Sequence, residues 1–372
     1  MRITDIEGIM LRLPEVRAIG DGCQNIMIIL IHTDEGITGI GEAHSNALVS
    51  KAILDAPLCS ISSTGLKHLL VGEDPRDIGR LYDLMVKRTA TPGRRGAFMH
   101  VISGIEIALW DILGKSVGQP IYRLLGGARR TKIPAYASDL VPDTVAGAIE
   151  LAQRHVRNGY KAVKLGWGAL GATPRADVAM MGDIRKAVGP DIDIMLDMGF
   201  PVPLESAIYL GRGLAEHDVY FLEEPLAPED VLGFARLTAI SPTPIATGEK
   251  ETSQYPFIDL IDRGGLRIIQ PDVARVGGIS ETLRIATHAE ARGVRVIPHC
   301  WSTDILVAAT MHVIATLRDC PYLEYNAMDN PLRTRLLKAP IRPVDGIVSV
   351  PDGPGLGIEL DPKTLDEFRW AP

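Results

Sequence analysis

The sequence predicts an α/β protein in which a barrel of alternating strands and helices follows an α+β domain. Three observations carry this. Eight short apolar runs between residues 133 and 325 start 23 to 32 residues apart, the period of βα units. Ahead of them, the first 50 residues read as strands and residues 50 to 125 as helices. A length of 372 residues fits a large barrel or two packed domains.

In chain order, Ile26-Met-Ile-Ile-Leu-Ile-His-Thr is a β-rich run, and Asp34-Glu35-Gly36 turns it into Ile37-Thr-Gly-Ile-Gly-Glu. Farther on, Ile105, Ala108, Leu109 and Ile112 form one stripe at helical spacing, stopped by Leu124-Leu-Gly-Gly. The barrel strands are expected at Ile133-Pro-Ala-Tyr-Ala, Lys161-Ala-Val-Lys-Leu, Asp193-Ile-Met-Leu-Asp and Val219-Tyr-Phe-Leu-Glu. Four more are expected at Pro244-Ile-Ala-Thr-Gly, Arg267-Ile-Ile-Gln, Arg295-Val-Ile-Pro and Tyr322-Leu-Glu-Tyr. Helix-like segments such as Ser280–Arg292 fill the gaps. The boundaries expected are residues 1–125 for the α+β domain and 126–339 for the barrel. The loop-rich tail, 340–372, is expected to return to the first domain.

Composition narrows the function. A net charge of −7, with no basic run longer than a pair, leaves no phosphate-neutralising face, so no nucleic-acid partner is expected. The run Ile26–Ile31 is far short of the ~20 residues that span a bilayer, so no membrane partner is expected either. No apolar signal follows the N-terminal Met, and the four cysteines form no CxxC pair. A reduced, cytoplasmic enzyme is the expectation.

Catalytic groups of such barrels sit at the C-terminal ends of strands. Those ends hold Lys164, Asp197, Glu223, Glu249, Asp272, His299 and Glu324. Asp197 to Glu223 and Glu223 to Glu249 are both 26 residues, one barrel unit each. Three converging carboxylates repel one another unless a hard divalent cation joins them, and an all-oxygen set suits Mg²⁺ over Zn²⁺. Singly, each acid could be a helix cap or a surface charge. Asp272 and His299 end consecutive strands, where a carboxylate on one ring nitrogen makes the other a proton acceptor.

These residues resemble the enolase superfamily, specifically its mandelate racemase subgroup, over nearly the whole chain. The resemblance runs through Ala108-Leu-Trp-Asp-Ile-Leu-Gly-Lys, Lys161-Ala-Val-Lys, Leu196-Asp, Phe221-Leu-Glu-Glu-Pro and Gly248-Glu. It continues through Gln270-Pro-Asp-Val-Ala-Arg-Val-Gly-Gly, Ile297-Pro-His and Pro351-Asp-Gly-Pro-Gly-Leu-Gly. It implies a modified (β/α)₇β TIM barrel under an α+β capping domain, Mg²⁺ on Asp197, Glu223 and Glu249, and an acid/base dyad of His299 with Asp272. It further implies that a protonated Glu324 donates to the enolate oxygen, that Lys164 lies against the substrate carboxylate, and that loops near Glu15–Cys23 and Ala43–Ser50 cover the substrate. His44 and Arg17 are the substrate-binding candidates there. A homo-oligomer, dimer or octamer, is also implied.

Two departures stand out. Relatives often carry a Lys-x-Lys pair on strand two, but Gly166 stands where the second Lys would be. Relatives also often place an Asn two residues after the first metal ligand, and here Asp197 is followed by Met198 and Gly199. Strand six ends in Asp272, where muconate lactonizing relatives place a Lys. With one obvious base, a two-base racemase is disfavoured unless Lys164 takes the second role. A single His that removes the α-proton and protonates a departing β-hydroxyl points to an acid-sugar dehydratase acting on an aldonate or aldarate. A sugar-lactone cycloisomerase is the alternative, then a racemase or epimerase. A non-catalytic barrel would have lost a ligand or the dyad, and all five residues are present.

Overall fold

The computed structural model describes residues 1–372. Strands β1 (Ile3–Arg12), β2 (Asn25–Thr33) and β3 (Thr38–Ala43) form an antiparallel meander in that order. Helices Ala47–Asp55, Leu66–Leu70, Ile78–Arg88, Ala97–Ser116 and Ile121–Leu124 follow. The stripe of Ile105, Ala108, Leu109 and Ile112 is fully buried in a core of its own, against Ile29, Ile31 and neighbours from the sheet.

Helix Ala97–Ser116 has 20 residues and a mean hydropathy of 1.4, long and apolar enough to cross a membrane by those measures. It exceeds the Ile26–Ile31 run singled out above, because Glu106, Asp111 and Lys115 break its apolar sequence into short pieces. In the fold, 72% of that stretch is buried inside the protein.

The second half is a parallel barrel: β4 (Lys132–Leu140), β5 (Ala162–Gly166), β6 (Asp193–Asp197), β7 (Val219–Glu223), β8 (Ile245–Thr247), β9 (Ile268–Ile269), β10 (Arg295–Val296) and β11 (Leu323–Asn326). Seven long helices, from Val145–Arg157 to Asp304–Ile314, connect the eight strands, giving (β/α)₇β. All eight lie where the periodic runs place them. The ladder runs from β10 through β4 to β11. Between β10 and β11 a side chain takes over from backbone pairing: Glu324 on β11 accepts from the Cys300 amide at 2.8 Å.

The tail first adds a short antiparallel strand, β12 (Ile347–Ser349), to β4, with Val348 opposite Ile133. It then crosses to the α+β domain, where Gly355 pairs with Pro120 and Arg369 with Leu11. Three buried carboxylates of the α+β domain hold the halves together. Glu42 accepts from the hydroxyls of Ser302 and Thr303 beyond β10. Glu106 accepts the amides of Ile279 (2.7 Å) and Ser280 (3.0 Å), capping barrel helix Ile279–Ala291 from outside. Asp111 accepts the amides of Ile40 (2.9 Å) and Leu356 (2.8 Å), joining sheet, helix and tail.

The sheet meets helix Ala97–Ser116 backbone to backbone. A Cβ on Gly41 would lie 1.8 Å from the Gly104 carbonyl oxygen, and one on Gly39 2.2 Å from that of Ala108. Because neither neighbour is a flexible side chain, Gly41→Ala is expected to cost about 3 kcal/mol or more. Thermal or urea unfolding measures the loss, and a melting temperature at the wild-type value would refute this packing.

Candidate active site

Alternation along the strands stacks two layers inside the barrel. The lower is an apolar plug of one residue per strand: Tyr136, Ala162, Met195, Phe221, Ala246, Ile268 and Ile297, with Tyr322 against it. Two residues along each strand, on the same face, come Ser138, Lys164, Asp197, Glu223, Gln270, His299 and Glu324. On β8 that position is Gly248, whose φ of 132° turns the chain and passes the inward place to Glu249. Polar groups thus sit on a dry floor at the C-terminal mouth.

Carboxylate oxygens of Asp197, Glu223 and Glu249 lie within 4.8 Å of one another, and all three residues are buried. Burial and neighbouring acids push Asp197 up and Glu223 well up from the ordinary carboxylate range, despite Lys164 beside them. Glu223 Oε1 is buried with no hydrogen-bond partner. An orphaned carboxylate oxygen in an all-oxygen cluster is what a hard dication satisfies. Glu224, the second acid of the pair, turns away to Lys250, and burial raises its carboxyl to about 8.

Lys164 Nζ is 2.7 Å from Glu223, 2.7 Å from Glu324 and 3.8 Å from Asp197. Burial alone would lower this ammonium, but Glu223 and Glu324 hold it well above its ordinary value. Burial would raise Glu324 too, yet Lys164 and His299 hold it below the usual range. Glu324 accepts from Ser138 Oγ (2.8 Å), the Cys300 amide and Lys164.

His299 Nδ1 is 2.6 Å from Asp272 Oδ2, and its Nε2 is 3.1 Å from Glu249. Asp272 is held in place by the Ala274 amide at 2.7 Å. Burial would lower the imidazole, but Glu249, Glu324 and Asp272 together keep it above its ordinary value. His44, at the end of β3, does reach the site: its ring stacks 6.3 Å from that of His299, with Nδ1 3.5 Å from Asp272. Burial and Arg275 lower its pKa. Arg17 does not reach the reacting groups. Its side chain is exposed, in a neighbouring hollow.

The cavity over this ring has a volume of about 330 Å³ and includes Lys164, Asp197, Glu249, His299 and Glu324 among its walls. Gly166 also lines it, where a Cβ would lie 2.7 Å from Asp197 Cβ and 2.9 Å from its Oδ2. A side chain there would require Asp197 to shift. Trp167 follows with φ 64°, stacked edge-on to Phe200 and under Lys250.

Several wall residues escaped the sequence reading. Arg275, three residues after Asp272, reaches Asp272 and Glu249 at 3.6 Å each. Asp21 binds Trp301 Nε1 (3.3 Å) and Asn330 Nδ2 (3.0 Å), pinning the covering loop to the barrel. Only the i+3 spacing of Arg275 was readable beforehand; loop contacts have no period.

Comparison with known proteins gives two family matches. Residues 6–126 match the mandelate racemase/muconate lactonizing enzyme N-terminal domain, and residues 147–364 the enolase C-terminal domain-like family. The chain is 34% identical to a D-galactarolactone cycloisomerase of Agrobacterium fabrum, covering 92% of this chain and 91% of that protein. It is 32% identical to an arabinonate dehydratase of Saccharolobus solfataricus, covering 95% and 93%. Among solved structures, the 3,6-anhydro-D-galactonate cycloisomerase from Zobellia galactanivorans superposes with a TM-score of 0.90 at 32% identity, covering all of both chains.

The raised imidazole has a pH signature in metal-free buffer. Its carboxylate contacts contribute stability that is complete below the unfolded value of about 6.5 and fades as pH rises through the higher folded value. Asp272→Asn should shift the His299 ring titration downward in NMR and flatten that slope. An unshifted titration would remove Asp272 from the dyad.

Proposed function

The chain belongs to the mandelate racemase/muconate lactonizing enzyme family of the enolase superfamily, and from that premise we propose that it is an acid-sugar dehydratase. It removes the proton α to a carboxylate and expels a β-hydroxyl, leaving a 2-keto-3-deoxy acid. One observation carries the reading: a single buried base, His299 on Asp272, faces a strand-two position where Gly166 admits no second base.

Asp197, Glu223 and Glu249 would hold Mg²⁺, and the orphaned Glu223 oxygen supports that assignment. Bound there, the ion supplies Lewis-acid stabilisation of the charge that develops on the substrate carboxylate, worth several kcal/mol. Lys164 orients that carboxylate, and Glu324 holds the ammonium in place. Asp272 keeps the Nδ1 proton on His299, so Nε2 takes the α-proton. As the β-carbon–oxygen bond breaks, the same Nε2 returns its proton to the leaving oxygen, which departs as water. The enol left behind tautomerises to the keto acid. Lys164, locked between Glu223 and Glu324, is a poor second base, which weakens a racemase reading. The domain division that accompanies this mechanism is a cap of residues 1–125 with 340–372 over a barrel of 126–339.

A second reading has a specific observation behind it. The 34% identity to a D-galactarolactone cycloisomerase favours opening of a lactone ring by the same β-elimination, with the ring carboxylate leaving in place of water. His299 serves either reaction.

Proton NMR in D₂O of the Mg²⁺-loaded protein against aldonates, aldarates and their lactones tests the proposal. A 2-keto-3-deoxy product from an open-chain acid is expected. Product from a lactone alone selects the cycloisomerase, and α-deuteration without net product overturns both. His299→Asn is expected to lower turnover by about a thousandfold or more. Calorimetric Mg²⁺ titration of that variant should match the wild type, and unchanged turnover would sink the mechanism.

A further inference from the structure

A hollow of about 400 Å³ lies on the flank of the barrel, between helices Val231–Ile240 and Gln254–Asp262. It shares no wall residue with the reaction cavity. Glu251, two residues past Glu249, lines it and is only 5% exposed. No donor bonds the Glu251 carboxylate. Arg95 and Glu229 act on it through space alone, and Arg95 stands too far off for an ion pair. A buried charge without a partner is costly, so this carboxylate is completed by a group from outside.

The other charges of the hollow fall into two sets. Asp230 is spent on the Gly233 amide at 2.8 Å, and Asp259 on Arg263 at 3.2 Å. Glu229, on the loop after β7, and Arg95, on the loop before helix Ala97–Ser116, have no ionic partner. Two acids of the barrel thus share one open space with a guanidinium of the α+β domain. The walls between them are apolar, with Val231, Pro256 and Leu260 inside and Leu232 at the rim, 62% exposed. Carboxylates close enough to share a metal ion are those of Asp197, Glu223 and Glu249, and none of them lines this hollow. Groups of both signs set among apolar walls match a zwitterion with an apolar body.

We propose that this hollow binds a small apolar α-amino acid, at a site separate from the reaction. Its ammonium meets Glu251, with Glu229 beside it, and supplies the donors that the buried carboxylate lacks. Its carboxylate meets the Arg95 guanidinium, and its side chain covers Leu232. A bound amino acid therefore bridges the α+β domain and the barrel without touching the reacting groups.

Saturation-transfer NMR on the full-length protein in metal-free buffer tests this with L-leucine, isopentylamine and 4-methylpentanoate. The amine keeps the ammonium and body of leucine, and the acid keeps its carboxylate and body. Leucine should bind tightest, the amine about threefold more weakly because Arg95 is exposed, and the acid not at all. Glu251→Gln should weaken leucine and the amine by about tenfold or more, since a charge-assisted bond is lost. Arg95→Gln should bring leucine down to the level of the amine. Leu232→Ser, at an exposed rim position, should weaken leucine by about threefold. No saturation transfer to leucine, or equal affinity for leucine and the amine, overturns the assignment. A Glu251→Gln protein that melts with the wild type and binds leucine as well overturns it too.

Discussion

At the barrel mouth, Lys164 is the one ammonium shared by three buried carboxylates, Asp197, Glu223 and Glu324. Charges removed from water cost several kcal/mol each unless they are paired and hydrogen-bonded. The rest of the architecture answers that demand. The apolar plug below keeps water from reaching the cluster from the far end, and the strand pleat aims every polar group the same way. Glu324 is also the clasp of the barrel, bonding across the place where β10 and β11 lack backbone pairing. One residue therefore serves electrostatics and closure at once.

The α+β domain is fastened to this barrel by buried acids and not by a greasy seam alone. Glu42, Glu106 and Asp111 each spend their oxygens on backbone amides or hydroxyls of the barrel or the tail. Such bonds are directional, so the cap is held at a set angle. That angle brings His44 against Asp272 and lets Asp21 carry its loop to Trp301. Burial lifts the Glu106 carboxyl to about 7 even though it accepts two helix amides, a measure of how dry the joint is.

Strand ends were the most legible part of the sequence, and for a physical reason. A period of two within strands and a repeat of 23 to 27 residues between them fix direction and place together, so Asp197, Glu223, Glu249, Asp272 and His299 could be read as one ring. Contacts made by loops carry no such period. Arg275, Trp167 and Asp21 lie in motifs that were visible, but nothing in their spacing says they wall a cavity. The partners of Glu324 could not be read from its place at a strand end, because they include a lysine 160 residues earlier in the chain lying 2.7 Å away. The helix Ala97–Ser116 was readable by its stripe, while its near-contact with the sheet shows only through the glycines that permit it.

Gly166 has a consequence for how this protein can change over time. A side chain at that position cannot be added alone, because the neighbouring strand already brings Asp197 into the space it would need. Such a change would first have to shift β6 and with it Asp197, one of three carboxylates whose oxygens lie within 4.8 Å of one another. Mutational access to a larger residue at this position is therefore gated by backbone geometry.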